Sequence, residues 1–228
     1  MERNSHPVKQ TRRYDSSGRR KHARDTREAI VRSARELFLR DGYAATTVAA
    51  IAAAAGVSVE TIYKAFGGKP GLVRAIVERA LAGEGPEPAE QRSDLIRETE
   101  RDARKIVAAW GEFTAEIGPR VMPILRLARE AAATDPEMAA ALEQINAERL
   151  ERMAFNARRL HAAGHLRPDV SARQAADILW TCSSAELYEL LVLRRGWTPR
   201  RFGRFVGEVM AGALLPRDQQ AAEENGRT

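Results

Sequence analysis

Between Gly56 and the pair Gly67-Gly68 the chain has room for one helix of about eight residues, and a helix that short does not hold itself together in water. The segment VETIYKAF, opened by Ser58 as a cap, must therefore be held from behind. Ile62 and Phe66 share the face that can do this, and Val59, Glu60, Tyr63 and Lys64 are left pointing outward. Upstream, Thr47 can cap a second short helix with Val48, Ile51, Ala52 and Ala55 turned inward, and Gly56-Val57 supplies a tight turn. Before that, Asp25 with Glu28 three residues on reads as the start of a first helix, whose Ile30, Ala34, Leu37 and Phe38 line one side until Asp41-Gly42 stops it. Three helices with a glycine turn between the second and third predict a helix-turn-helix over residues 25–80.

The outward residues suit a polyanion. A recognition helix enters the major groove with its N-terminal residues toward base edges, and hydroxyls and ammonium groups at its margins suit phosphates. Thr47, at the start of the second helix, sets a hydroxyl beside a positive dipole end, and Lys69 does likewise at the start of a fourth helix. Charge follows the same geography. The first 24 residues carry eight Lys/Arg against Glu2 and Asp15, and the chain beyond residue 80 is slightly acidic. Residues 1–24 lack apolar periodicity and are expected to form a flexible basic arm, with Arg19, Arg20, Lys21 and Arg24 nearest the DNA.

The stretch from Thr26 to Val77 resembles the DNA-binding domain of the TetR/AcrR family of bacterial transcriptional repressors. The likeness rests on Phe38…Gly42-Tyr43, Thr46-Thr47 before Ile51-Ala52, Ala55-Gly56-Val57-Ser58, Thr61-Ile62-Tyr63, Phe66, Lys69 and Leu72. It implies phosphate contacts at Thr47, Thr61, Tyr63 and Lys69, and base contacts around Val59, Glu60 and Lys64, with Ser58 at the same helix start. The pattern departs from the family at Ala49, where members often carry arginine, and at Pro70-Gly71, where an acidic-alanine pair is more usual.

Beyond the polar loop Gly83–Pro88, the long segments are helical in period, so the fold class is all-α: the helix-turn-helix domain plus a larger helical domain over 81–215, then a polar tail over 216–228. One stripe runs Leu95 to Phe113 and is expected to close at Gly118-Pro119, followed by a short helix over 121–133. Thr134-Asp135-Pro136-Glu137 starts a helix reaching about Leu160. A single helix over 172–195, apolar nearly all round, reads as buried on all sides, and Trp197-Thr198-Pro199 opens the last one. Large residues at Trp110, Phe113, Met122, Leu125, Ile145, Met153 and Trp180 suit an apolar pocket, with Asn146 and Asn156 as its polar groups. The resemblance implies that a small apolar or amphipathic effector binds there.

The last two helices fit a subunit interface. Leu187 and Leu191 come from the first; Phe202, Phe205, Val206, Val209, Met210 and Leu214 form a stripe on the second. Gly203, Gly207 and Ala211 repeat every four residues beside that stripe, are expected to let another backbone come close, and are counted with the interface. The resemblance implies pairing of these helices in a four-helix dimer bundle. No glycine-rich phosphate loop or nucleophile elbow is present, and His161 and His165 lack a third ligand nearby, so no catalytic residue, metal or cofactor is assigned. A single cysteine, Cys182, excludes an intramolecular disulfide, and no run is long enough to span a membrane. The chain reads as a cytoplasmic homodimer that binds a palindromic double-stranded operator and is released by an effector. An effector-independent regulator and a helical enzyme retaining the domain are the alternatives.

Overall fold

The computed structural model describes residues 16–83 and 89–217, and among these every regular element is helical. Residues 1–15 of the expected arm, 84–88 of the expected loop and the tail beyond 217 lie outside the described residues. The N-terminal unit comprises α1 (Ser16–Asp41), α2 (Val48–Ala55) and α3 (Val59–Phe66), with α4 (Lys69–Ala82) leading out of it. Ile30, Ala34 and Phe38 from α1, Ile51 and Ala52 from α2, Ile62 from α3 and Leu72 and Ile76 from α4 are all buried together. Thr46 ties off the end of α1: its hydroxyl donates to the carbonyl of Gly42 at 2.7 Å and to that of Leu37 at 3.2 Å.

Helix α1 begins at Ser16, well before the capping signal at Asp25, so Arg19, Arg20, Lys21 and Arg24 lie on a helix rather than on a flexible arm. The physical reason is simple. Missing apolar periodicity reports the lack of a buried face, and arginine, lysine and alanine are good helix formers without one.

The larger unit is built from α5 (Ala89–Thr99), α6 (Ala103–Ala132), α7 (Pro136–Ala162), α8 (Ala172–Cys182), α9 (Ala185–Tyr188, continuing as a π-helical turn over Glu189–Arg194) and α10 (Pro199–Leu214). Three expected boundaries move. The stripe from Leu95 to Phe113 belongs to two helices, because Glu100 accepts the N–H groups of Arg101 and Asp102, and Asp102 then caps α6. Gly118-Pro119 does not end a helix: α6 continues through Pro119 and Pro123. Each proline removes one ladder donor, and burial of Ile117, Val121 and Ile124 on either side carries the helix on. Gly118 serves packing instead, since a Cβ there would come within 2.7 Å of the Tyr188 ring. The expected helix over 172–195 breaks at Ser183-Ser184, where Ser184 caps a new turn, and it is not buried on all sides: Leu190 is 51% and Leu193 49% exposed.

The glycines of α10 require a further correction. Gly203 and Gly207 face α6 of the same chain, where a Cβ on Gly203 would lie 2.4 Å from the carbonyl oxygen of Gly111 and one on Gly207 would lie 3.3 Å from Cα of Ala108. Their close approach is therefore internal to the protomer. Phe202, Val206, Met210 and Leu214 are likewise buried within it, so they are core residues of the single chain and leave a partner nothing to touch.

Candidate DNA-binding face and effector cavity

The chain turns through 105° between α2 and α3, within the range of helix-turn-helix units. Gly56, at φ 67°, makes the corner, and its N–H closes α2. Both helix starts are capped by side chains on the exposed face: Thr47 Oγ1 accepts the Ala50 N–H at 3.1 Å, and Ser58 Oγ accepts the Thr61 N–H at 3.1 Å. The Ser58 and Thr61 hydroxyls also share a hydrogen bond of 2.8 Å, which sets them side by side at the N-terminus of α3. Val59, Glu60 and Lys64 are exposed, and Tyr63 is 54% exposed with Ile62 wholly buried behind it. Helix α3 thus divides into an anchored face and a presented face as its spacing predicts.

Lys69 sits differently from a free phosphate contact. Its ammonium donates to the Tyr43 carbonyl at 2.9 Å and lies 4.2 Å from the centre of the Tyr43 ring. The Tyr43 hydroxyl in turn donates to Asp135 Oδ2 at 2.9 Å, and Asp135 caps α7 by accepting the Met138 N–H. Burial and the bond to Asp135 raise the Tyr43 pKa; the Met138 N–H holds that of Asp135 below the usual carboxylate range. The start of α4 is thereby tied to the start of α7. Gly71 is required at this junction, because a Cβ would fall 1.7 Å from the Phe66 carbonyl oxygen.

A cavity of about 370 Å³ lies among α4, α6, α7 and α8. It is lined by Trp110, Phe113, Met122, Leu125, Ile145, Met153 and Asn156. Asn146 and Trp180, the other two residues expected there, do not line it; Trp180 lies behind, its ring 4.6 Å from the Arg149 guanidinium carbon. Sequence reasoning overlooked the charged wall: Arg74 and Glu78 from α4, and Glu148, Arg149 and Arg152 from α7. A signal existed for Arg149, which lies four residues from both Ile145 and Met153 on one helical face. Arg74 bridges the two helices, bonding to Glu148 at 2.5 Å and Glu78 at 3.2 Å.

Apolar residues are exposed elsewhere. Leu190 and Leu193 on the π-helical turn and Val209 on α10, 37% exposed, are open to solvent, and Leu187, Leu191, Phe205 and Ala211 of the same two elements and of α9 are half-buried. Cys182 is buried, and burial pushes its thiol pKa up. Among the described residues no group of three potential ligands could hold a metal, and no single helix is long and apolar enough to cross a membrane.

Residues 30–76 match the model of the bacterial regulatory proteins of the TetR family. A helix-turn-helix transcriptional regulator of Bacillus subtilis, YvkB, is 35% identical over 75 residues, covering 33% of this chain and 40% of that protein. The match thus spans well under half of that relative's length. Among solved structures, a protein of Syntrophomonas wolfei described as a TetR-family transcriptional regulator aligns with a TM-score of 0.68 at 18% identity, over 82% of this chain and 94% of that one. SmeT, the repressor of a Stenotrophomonas maltophilia multidrug efflux pump, solved with triclosan, aligns with a TM-score of 0.64 at 23% identity, over 84% and 92% of the two chains. At these identities the structural likeness speaks for the fold.

Proposed function

By its N-terminal domain the chain belongs to the TetR family of bacterial regulatory proteins, and from that premise we propose that it is a cytoplasmic, dimeric repressor that leaves its operator when a small molecule fills the cavity. One observation carries this reading: α4 belongs to both functional parts. It starts where α3 ends, with Gly71 pressed on the last carbonyl of α3, and its Val77, Glu78, Leu81 and Ala82 form one wall of the cavity. A molecule that binds better when α4 stands away from α7 shifts α3 with it, and it can do so only through different affinities for the two arrangements. SmeT, with a repressor's role and a bound triclosan, supports the same assignment by analogy.

Two copies of α3 must reach successive major grooves, so the operator should be a palindrome with half-sites one helical turn or a multiple apart. Thr47, Ser58, Thr61 and Tyr63 would hold phosphates, while Val59, Glu60 and Lys64 would meet base edges, with Arg20, Lys21 and Arg24 adding charge along α1. The test is selection from a random duplex pool followed by footprinting. A palindrome should emerge; Tyr63→Ala should weaken binding to selected and unrelated duplexes alike, whereas Lys64→Ala should change the base preferred within each half-site. Recovery of no sequence above the non-specific background would overturn the reading.

A further inference from the structure

We propose that the effector is an amphipathic monocarboxylate, its apolar body lying against α6 and α7 and its anionic end paired with Arg149. This rests on the cavity being the effector site. Its lining is apolar at Trp110, Phe113, Met122, Leu125, Ile145 and Met153, which sets the character of the body. The size is at the small end of the roughly 300–1,000 Å³ of small-molecule pockets, which excludes bulky polyanions.

The charge of the head follows from the three arginines. Arg74 is paired with Glu78 and Glu148, and Arg152 with Asp94. Arg149 has no carboxylate within ion-pair distance among the described residues. Its Nη1 donates to two neutral acceptors, the Trp180 carbonyl at 2.6 Å and the Ser183 hydroxyl at 3.0 Å, and its remaining N–H groups meet no acceptor among the described residues. The nearby Glu186 is engaged by Arg129 at 2.7 Å. Burial pushes the Arg149 pKa down to about 10, which still leaves it fully charged at neutral pH.

Geometry then favours a carboxylate over other anions. The Trp180 ring supports the guanidinium from behind, and the bonds to the 180–183 segment fix its orientation, so its free edge is presented as a rigid fork. The remaining N–H groups of Arg149 are donors, so the ligand must bring acceptors. One unpaired cation beside the acidic Glu78 and Glu148 suits a single negative charge rather than a phosphate dianion.

The experiment compares matched probes on the full-length protein by titration calorimetry and by operator release. Decanoate is set against decan-1-ol and decylammonium, and 4-phenylbutyrate against 4-phenylbutan-1-ol. In at least one pair the carboxylate should bind more tightly than its alcohol by about tenfold or more, with the ammonium weakest. Arg149→Met should remove that advantage, and Arg149→Lys should restore part of it. Because the wild-type comparison needs no variant, a folding defect in Arg149→Met does not shelter the idea. Equal affinities within both pairs, a preference for the alcohol or the ammonium, or no binding by either carboxylate overturns the proposal. If alcohols and carboxylates release the operator equally, the carboxylate assignment falls and the ligand-responsive reading stands. If a carboxylate is preferred yet leaves operator affinity unchanged, the reverse holds.

Discussion

Tyr43 shows how much one side chain can connect. Its carbonyl and ring hold Lys69, and its hydroxyl holds the cap of α7, so the loop after α1 fastens the DNA-binding unit to the larger domain. Tyr43→Phe keeps the ring contact and removes only the hydroxyl, and it should lower stability by about 1 kcal/mol, measured by urea unfolding. Asp135 adds a pH dependence. Its pKa is lower in the folded chain than in the unfolded one, so its contribution is complete above about pH 4 and is lost as the pH falls through the folded value. Asp135→Asn should therefore flatten the acid limb of the stability curve, and an unchanged limb would remove Asp135 from the account. None of this linkage was legible in the sequence, where Lys69 reads as a phosphate contact and Asp135 as a helix cap. Both readings describe local chemistry; the partner of each lies on a helix distant in the chain.

Helix α10 separates what a periodic pattern encodes from what it does not. Gly203, Gly207 and Ala211, four residues apart, announce that another helix comes close. That helix is α6 of the same chain, recognisable only once Gly111 is seen opposite Gly203. A small-residue stripe specifies a distance and leaves the partner open. The same limit explains α6, where Gly118-Pro119 has every local mark of a helix end and packing carries the helix through. The short helices α2 and α3 were legible because caps, turn glycines and the buried face all agree locally. The packing makes a graded prediction. Gly203→Ala and Gly111→Ala should each cost about 1–3 kcal/mol, since the new methyl meets backbone. Gly207→Ala should cost less, its contact being 3.3 Å, and Gly212→Ala, with nothing within 4 Å, should stabilise by roughly 0.5 kcal/mol or more. Thermal unfolding of the four variants gives the order directly, and equal effects at Gly203 and Gly212 would refute this packing.

At the scale of the whole molecule, the proposed dimer would be carried by what the protomer leaves uncovered. With Phe202, Val206, Met210 and Leu214 buried and the two glycines seated on α6, the surface of the last helices that remains is Leu190, Leu193 and Val209, flanked by Phe205, Leu187 and Leu191. Exposed large apolar residues that come together on one surface mark an interaction site, and a two-fold axis brings each such residue to the interface twice. The double substitution Leu193→Asp with Val209→Asp puts four carboxylates into that surface per dimer while touching nothing in the core. The variant should keep its helical circular dichroism and sediment as a monomer on dilution. It should lose affinity for the palindrome far more than for an isolated half-site, because two linked α3 helices bind with an effective concentration that a monomer lacks. Substitution at Gly207, by contrast, should reduce the stability of the protomer before it reaches the assembly. A doubly substituted protein that remains dimeric at nanomolar concentration would move the interface away from α9 and α10, and with it the spacing expected of the operator.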